Sequence, residues 1–179
     1  MNNKLLLRVP VKYGAFASLL AITVLLGLYF MDESPFTSND IPDFIIIGLF
    51  VYFAIREFRD YYNGGNLQFW EGMTVGFFCY VTLAVLTALF IGLLFPLIDA
   101  DILQQYVQNR TNLLVNNKEQ VISQLNEEAY NKALKEIKET SLLDLSLDDL
   151  IRKLLMGLFL TSVLALASKR KIVSEKSKS

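Results

Sequence analysis

GMTVGFFCYVTLAVLTALFIGLLFPLI, residues Gly72 to Ile98, contains no acidic or basic side chain. As a helix it is about 40 Å long at ~1.5 Å per residue, more than the ~30 Å hydrocarbon core of a bilayer. A core helix of a water-soluble domain needs no such length. The run therefore predicts a membrane span, extended back to Phe69 by Trp70, an aromatic anchor of the interfacial kind.

Three further apolar stretches join it. The first covers about 13–31 and follows Lys4, Arg8 and Lys12; Leu28-Tyr29-Phe30-Met31-Asp32 offers no small-x-small cleavage site, so a retained helix is expected rather than a signal peptide. The second covers about 41–58, with Asp40 as a cap, Pro42 in its first turn and Arg56 and Arg59 at its end. In the fourth, about 147–168, the uncharged run from Leu154 to Ser168 is only about 15 residues, short for a full crossing. Ser146 with Asp149 suggests a capping box at its start, and Arg152 and Lys153 are expected to snorkel to the headgroups. The fold class expected is all-α: a polytopic membrane protein of four transmembrane helices forming one domain over residues 1–179.

Between the third and fourth spans, residues 99–146 are polar yet keep a helical period through Ile102, Tyr106, Leu113, Leu114, Val121, Ile122, Leu125, Ala129, Ala133 and Ile137. With a break at Asn116-Asn117, this predicts an extracytoplasmic amphipathic helical hairpin. It packs on itself, rests on the bilayer or docks a partner.

Charge distribution gives the threading. The N-terminal arm is basic, the turn after the second span carries Arg56 and Arg59, and residues 169–179 form a basic tail. Opposite them, Asp32, Glu33, Asp40 and Asp43 occupy the first connection without a basic residue. The positive-inside rule then puts both termini in the cytoplasm. A net charge of −1 says nothing by itself.

The chain has no histidine and one cysteine, Cys79, which removes the commonest general base, the commonest metal ligand and any internal disulfide. Neither a phosphate-binding glycine loop nor a nucleophile elbow occurs. No catalytic residue, cofactor or metal site is expected, and no nucleic-acid partner. Asp99 with Asp101, and Asp148 with Asp149, are expected as solvated helix caps. Glu71, one residue after Trp70, is expected in the headgroup zone. Gly72, Gly76, Ala84, Ala88 and Gly92 form a small-residue stripe that lets helices approach closely, inside the bundle in preference to a homodimer face.

Arg59-Asp60, Gly64-Gly65, then Phe69, Gly72 and Gly76 opening a long apolar helix, a polar helical insert, a last span ending in Lys169-Arg170-Lys171, and Lys12-Tyr13-Gly14 at the first span recur in a recognisable order. In these features the chain resembles the bacterial membrane family called domain of unknown function 4199. Glu71 stands where that pattern has a small residue. The resemblance implies an integral protein of the bacterial inner (cytoplasmic) membrane with four spans and no assigned activity. Arg59, Asp60, Gly64 and Gly65 are expected to form a cytoplasmic turn with a structural or docking role.

The function expected is that of a non-enzymatic accessory or scaffold subunit, with membrane lipids and either a protein partner or a homo-oligomer as its contacts. The alternative is a small transporter or lipid-handling protein with a polar cleft of Tyr52, Thr74, Tyr80 and Thr87 and Glu71 as its one acidic residue.

Overall fold

A computed structural model of the chain describes residues 3–31, 41–99 and 101–170. Asp32, Glu33, Asp40 and the tail from Lys171 onward, to which part of the charge pattern belongs, lie outside the described residues. The described chain is helical throughout, with no β-strand, and three of its helices, Leu7–Phe30, Phe69–Ile98 and Leu142–Ser168, are long and apolar enough to cross a membrane.

Helix α1 runs Asn3–Phe30, α2 Ile41–Glu57 and α3 Phe69–Leu89. A π-helical turn, Phe58–Tyr62, extends α2. A second, Phe90–Leu94, carries α3 into a final α-helical turn, Phe95–Ile98. This second turn has a local cause. Pro96 has no N–H and its ring presses on the carbonyl four residues back. The ladder widens just before it, and the Phe95 amide bonds five residues back to the Phe90 carbonyl.

The polar insert forms three helices, α4 Ile102–Asn116, α5 Lys118–Gln124 and α6 Glu127–Glu139, where the sequence suggested two. The second break comes from Asn126, whose φ of 118° cannot continue a helix. Its side chain accepts a hydrogen bond from the Ala129 amide at 2.8 Å and starts α6. These helices pack chiefly on one another. The insert is tied to the bundle where Ile102 joins Ile91, Phe95 and Leu145 in a small apolar cluster. Asp99 reinforces that corner by accepting from Tyr29 Oη at 3.0 Å, Gln105 Nε2 at 2.9 Å and the Asp101 amide at 2.8 Å.

The last helix, α7, spans Leu142–Ser168 and begins five residues earlier than the sequence suggested. Its capping box is Ser141 with Asp144, which have the same spacing as Ser146 and Asp149. The latter two lie inside the helix, buried against the bundle.

In the bundle α3 is central, packed most extensively on α7 and α1, while α2 touches all three. Its inner residues include Ala17, Ile47, Val51, Val75, Cys79 and Leu83. The outer surface is apolar as well: on α7, Leu155, Phe159 and Leu166 are each at least 64% exposed. Small residues set the helix separation. A Cβ on Gly14 would meet the Cys79 carbonyl oxygen at 2.5 Å, and one on Gly72 would meet Ala165 Cβ at 2.9 Å. Gly76 leaves room for Thr161, and Gly157 for the Tyr80 ring.

Gly157→Ala is expected to destabilise the bundle by about 1–3 kcal/mol, because the new methyl displaces the Tyr80 ring. Gly27→Ala, with open space at the same atom, should be neutral or stabilising by up to ~1 kcal/mol. Thermal unfolding of the two variants in detergent gives the comparison.

Candidate functional site

The inward face of α7 reads Ser146, Asp149, Lys153, Gly157, Thr161, Ala165 and Ser168, residues three or four apart and all buried. Leu155, Phe159 and Leu166 point outward. This is the reverse of a water-soluble amphipathic helix and suits one surrounded by lipid.

Three ionisable groups meet on that face. Lys153 Nζ lies 3.0 Å from Asp43 Oδ2 on the first turn of α2 and donates to Asp149 Oδ1 one turn back on its own helix. The side chains are 4%, 30% and 10% exposed for Lys153, Asp43 and Asp149. From α3, Thr87 Oγ1 reaches Asp149 Oδ2 at 3.3 Å and also its own carbonyls at Leu83 and Ala84. One turn nearer the start of α7, Ser146 Oγ donates to the Ala88 carbonyl at 2.9 Å. Removing these charges from water costs several kcal/mol per ion, so the cluster persists only because each charge faces an opposite one.

The expected solvated cap at Asp149 and snorkelling Lys153 are therefore corrected: both turn inward, and only Asp148 with Arg152, 3.4 Å apart, keeps to the outer flank. Sequence did carry a signal. Asp149 and Lys153 are four apart, and continuing at that interval leads through Gly157, Thr161 and Ala165, a polar and small face on a helix otherwise apolar. Further along this face Thr161 Oγ1 is fully buried and has no hydrogen-bond partner among the described residues.

The small-residue stripe of α3 faces α7. Gly72 lies against Ala165, Gly76 against Thr161 and Gly92 against Ser146, where a Cβ would come within 2.7 Å of the hydroxyl. Ala84 is fully buried, and Ala88 is half-buried beside Gly92. Between them, Val85, Leu89, Leu93, Leu143, Leu147 and Leu150 border an apolar lateral groove of about 260 Å³.

The expected polar cleft does not assemble. Thr74 is bonded to its own helix at the Trp70 carbonyl, Tyr80 packs against Gly157, and Tyr52 is exposed, so only Thr87 joins the charge cluster. Glu71, at the start of α3, is turned into the protein. It is 5% exposed and accepts from the Gln68 amide at 2.8 Å and Asn63 Nδ2 at 2.9 Å, closing the capping box of α3.

At the opposite end from the cluster, Arg59, Asp60, Gly64 and Gly65 form a turn anchored to the end of α7. Gly64 and Gly65 have φ of 58° and 78°, which admits the reversal. The Gly65 amide bonds the Arg59 carbonyl at 2.9 Å. Leu67 and Arg170 then exchange backbone hydrogen bonds of 2.8 and 3.1 Å. Arg59 Nε donates to Asp60 Oδ1 at 2.7 Å, and this bond to the guanidinium holds the Asp60 carboxyl below its usual range. Close by, Lys12 and the Tyr13 hydroxyl both donate to Glu57, at 2.8 and 2.6 Å. Here Tyr13, Phe53, Arg56, Glu57, Tyr61 and Tyr62 line an open groove of about 730 Å³.

Lys153→Met, which leaves Asp149 without its cation, is expected to lower stability by about 3–5 kcal/mol. Asp149→Asn added to it should recover part of the loss, and the non-additivity in a thermal-unfolding cycle measures the coupling.

Comparison with curated proteins and with solved structures gives no match. Residues 12–170 match the family described as "Protein of unknown function (DUF4199)", which takes in all four bundle helices and the insert. The chain is a member of the DUF4199 family.

Proposed function

We propose that this chain is a four-span protein of a bacterial inner membrane, with both termini cytoplasmic, that serves without catalysis as an accessory or scaffold subunit of a membrane complex. The carrying observation is the insert. Helices α4 to α6 bury Ile102 and Tyr130 yet leave Leu113, Val115 and Leu125 49–63% exposed on a polar module beyond the lipid-facing helices. Apolar residues kept at such a surface suit contact with another protein.

Contacts between chain segments support the threading. Lys12 with Glu57, Arg59 with the Ser168 carbonyl, and Leu67 with Arg170 gather the basic start of α1, the basic end of α2 and Arg170 after α7 at one end. By the positive-inside rule that end is cytoplasmic. Helix α2 has 17 residues, the short end of the range for a crossing.

A second reading, a small transporter or lipid-handling protein, is favoured by one observation: ionisable residues buried between membrane helices are typical of ion and substrate paths.

Purification in mild detergent should recover a defined protein partner or a stable homo-oligomer. Replacing Leu113, Val115 and Leu125 together by Gln should disperse it without loss of helical circular dichroism. A wild-type particle that is strictly monomeric and carries no reproducible protein would overturn the scaffold reading. In a Cys79→Ser background, single cysteines at Gln124 and Asn63 should label from outside and inside respectively. Labelling of both from one side would overturn the threading.

A further inference from the structure

The charge balance of the cluster between α2, α3 and α7 is not closed. On the outer flank of α7 Asp148 has Arg152 as partner. Inside, the single ammonium of Lys153 faces two carboxylates, Asp43 and Asp149. No other described cation is placed to balance them. The acid of α3, Glu71, is at the far end of that helix, and the basic residues of α1, Lys4, Arg8 and Lys12, all lie in its first third, also at the far end. Arg152, on the adjoining position, is paired with Asp148 and acts on Asp149 through space. One negative charge is therefore in excess at a place where water is largely excluded, and the two carboxylates repel each other across the ammonium they share.

We propose that Asp43, Asp149 and Lys153 form a proton-binding site, which takes one proton from the aqueous phase and holds it on the carboxylate pair. A proton cancels the excess charge without displacing any side chain. The neutral carboxyl then becomes a donor as well as an acceptor. Asp43, the most exposed of the three, opens the site to water at the start of α2. Asp149, with Thr87 on its other oxygen, closes it within the bundle. Both carboxylates face the one ammonium, so the proton belongs to the pair. Its consequence is mechanical as well as chemical. The Asp43 to Lys153 bridge joins α2 to α7, and proton occupancy redistributes the ammonium between an acid on its own helix and an acid on its neighbour.

The site does not depend on the scaffold or the transport reading. Its test is infrared difference spectroscopy of the full chain in lipid nanodiscs, titrated between about pH 5 and 8. Wild type should show the carbonyl stretch of a protonated carboxyl group, present at the acid end and lost toward the alkaline end. Both Asp43→Asn and Asp149→Asn should abolish it, and Lys153→Gln should retain it to higher pH because the cation that favours two ionised carboxylates is gone. Asp148→Asn, whose partner is Arg152, should retain the band, moved toward lower pH by the uncompensated guanidinium. If Asp149→Asn fails to fold, Asp43→Asn at the more exposed position decides the matter. A wild-type spectrum without a titrating carboxyl band, or a band unchanged in Asp43→Asn, overturns the proposal. Proton flux into proteoliposomes is measured separately: a titrating band without flux sustains the site and removes proton transport, whereas flux without the band removes the site.

Discussion

The close approach of α3 and α7 is the constraint on which the rest of the bundle depends. Lipid tails are as apolar as leucine, so two helices in a membrane gain nothing from hiding apolar side chains from water. They associate through dispersion contacts and hydrogen bonds, which require short distances. Gly72 against Ala165, Gly76 against Thr161, Gly157 against Tyr80 and Gly92 against Ser146 supply those distances along nearly the whole interface. Because both partners contribute gaps, the two helices interlock, and α1 and α2 are arranged around the pair.

Once α7 is held this closely, its inner face meets no lipid and can carry groups that lipid would reject. Serine, aspartate, lysine and threonine occupy it in succession, while leucine and phenylalanine face outward. The same contact that stabilises the bundle thus creates the low-dielectric setting in which Lys153 needs a carboxylate from its own helix and accepts a second from α2. Packing and electrostatics are coupled there. Widening the α3 to α7 gap would admit water to the cluster, and removing the cluster's cation would leave a buried charge against α3.

Much of the fold is legible in the residues. The uncharged run from Gly72 to Ile98 determines the central helix and Gly64-Gly65 the reversal before it, since each effect depends on the local chain alone. The insert is legible as helical but not in its division, because a helical period survives the break at Asn126 and conceals it. The start of α7 is displaced for a similar reason: two serine-to-aspartate pairs with capping-box spacing occur within nine residues, and local sequence does not rank them. The candidate site is the least legible part. Charges near the end of an apolar run lead equally to headgroups or to a bundle interior, and only the helix's rotation distinguishes the two.

By itself, then, the sequence determined the helices long and apolar enough for a membrane, the helical class, the central helix and the family, all properties that follow from composition, run length and short-range backbone chemistry. Tertiary structure decided which way α7 turns, that Asp43 and Lys153 meet although they are far apart in the chain, and that Glu71 and Asp149 lie inside. The physical reason is that lipid makes apolar side chains indifferent to facing in or out. A helix's rotation is then set by the fit of small residues and the pairing of charges on its neighbours, which are known only when the neighbours are in place.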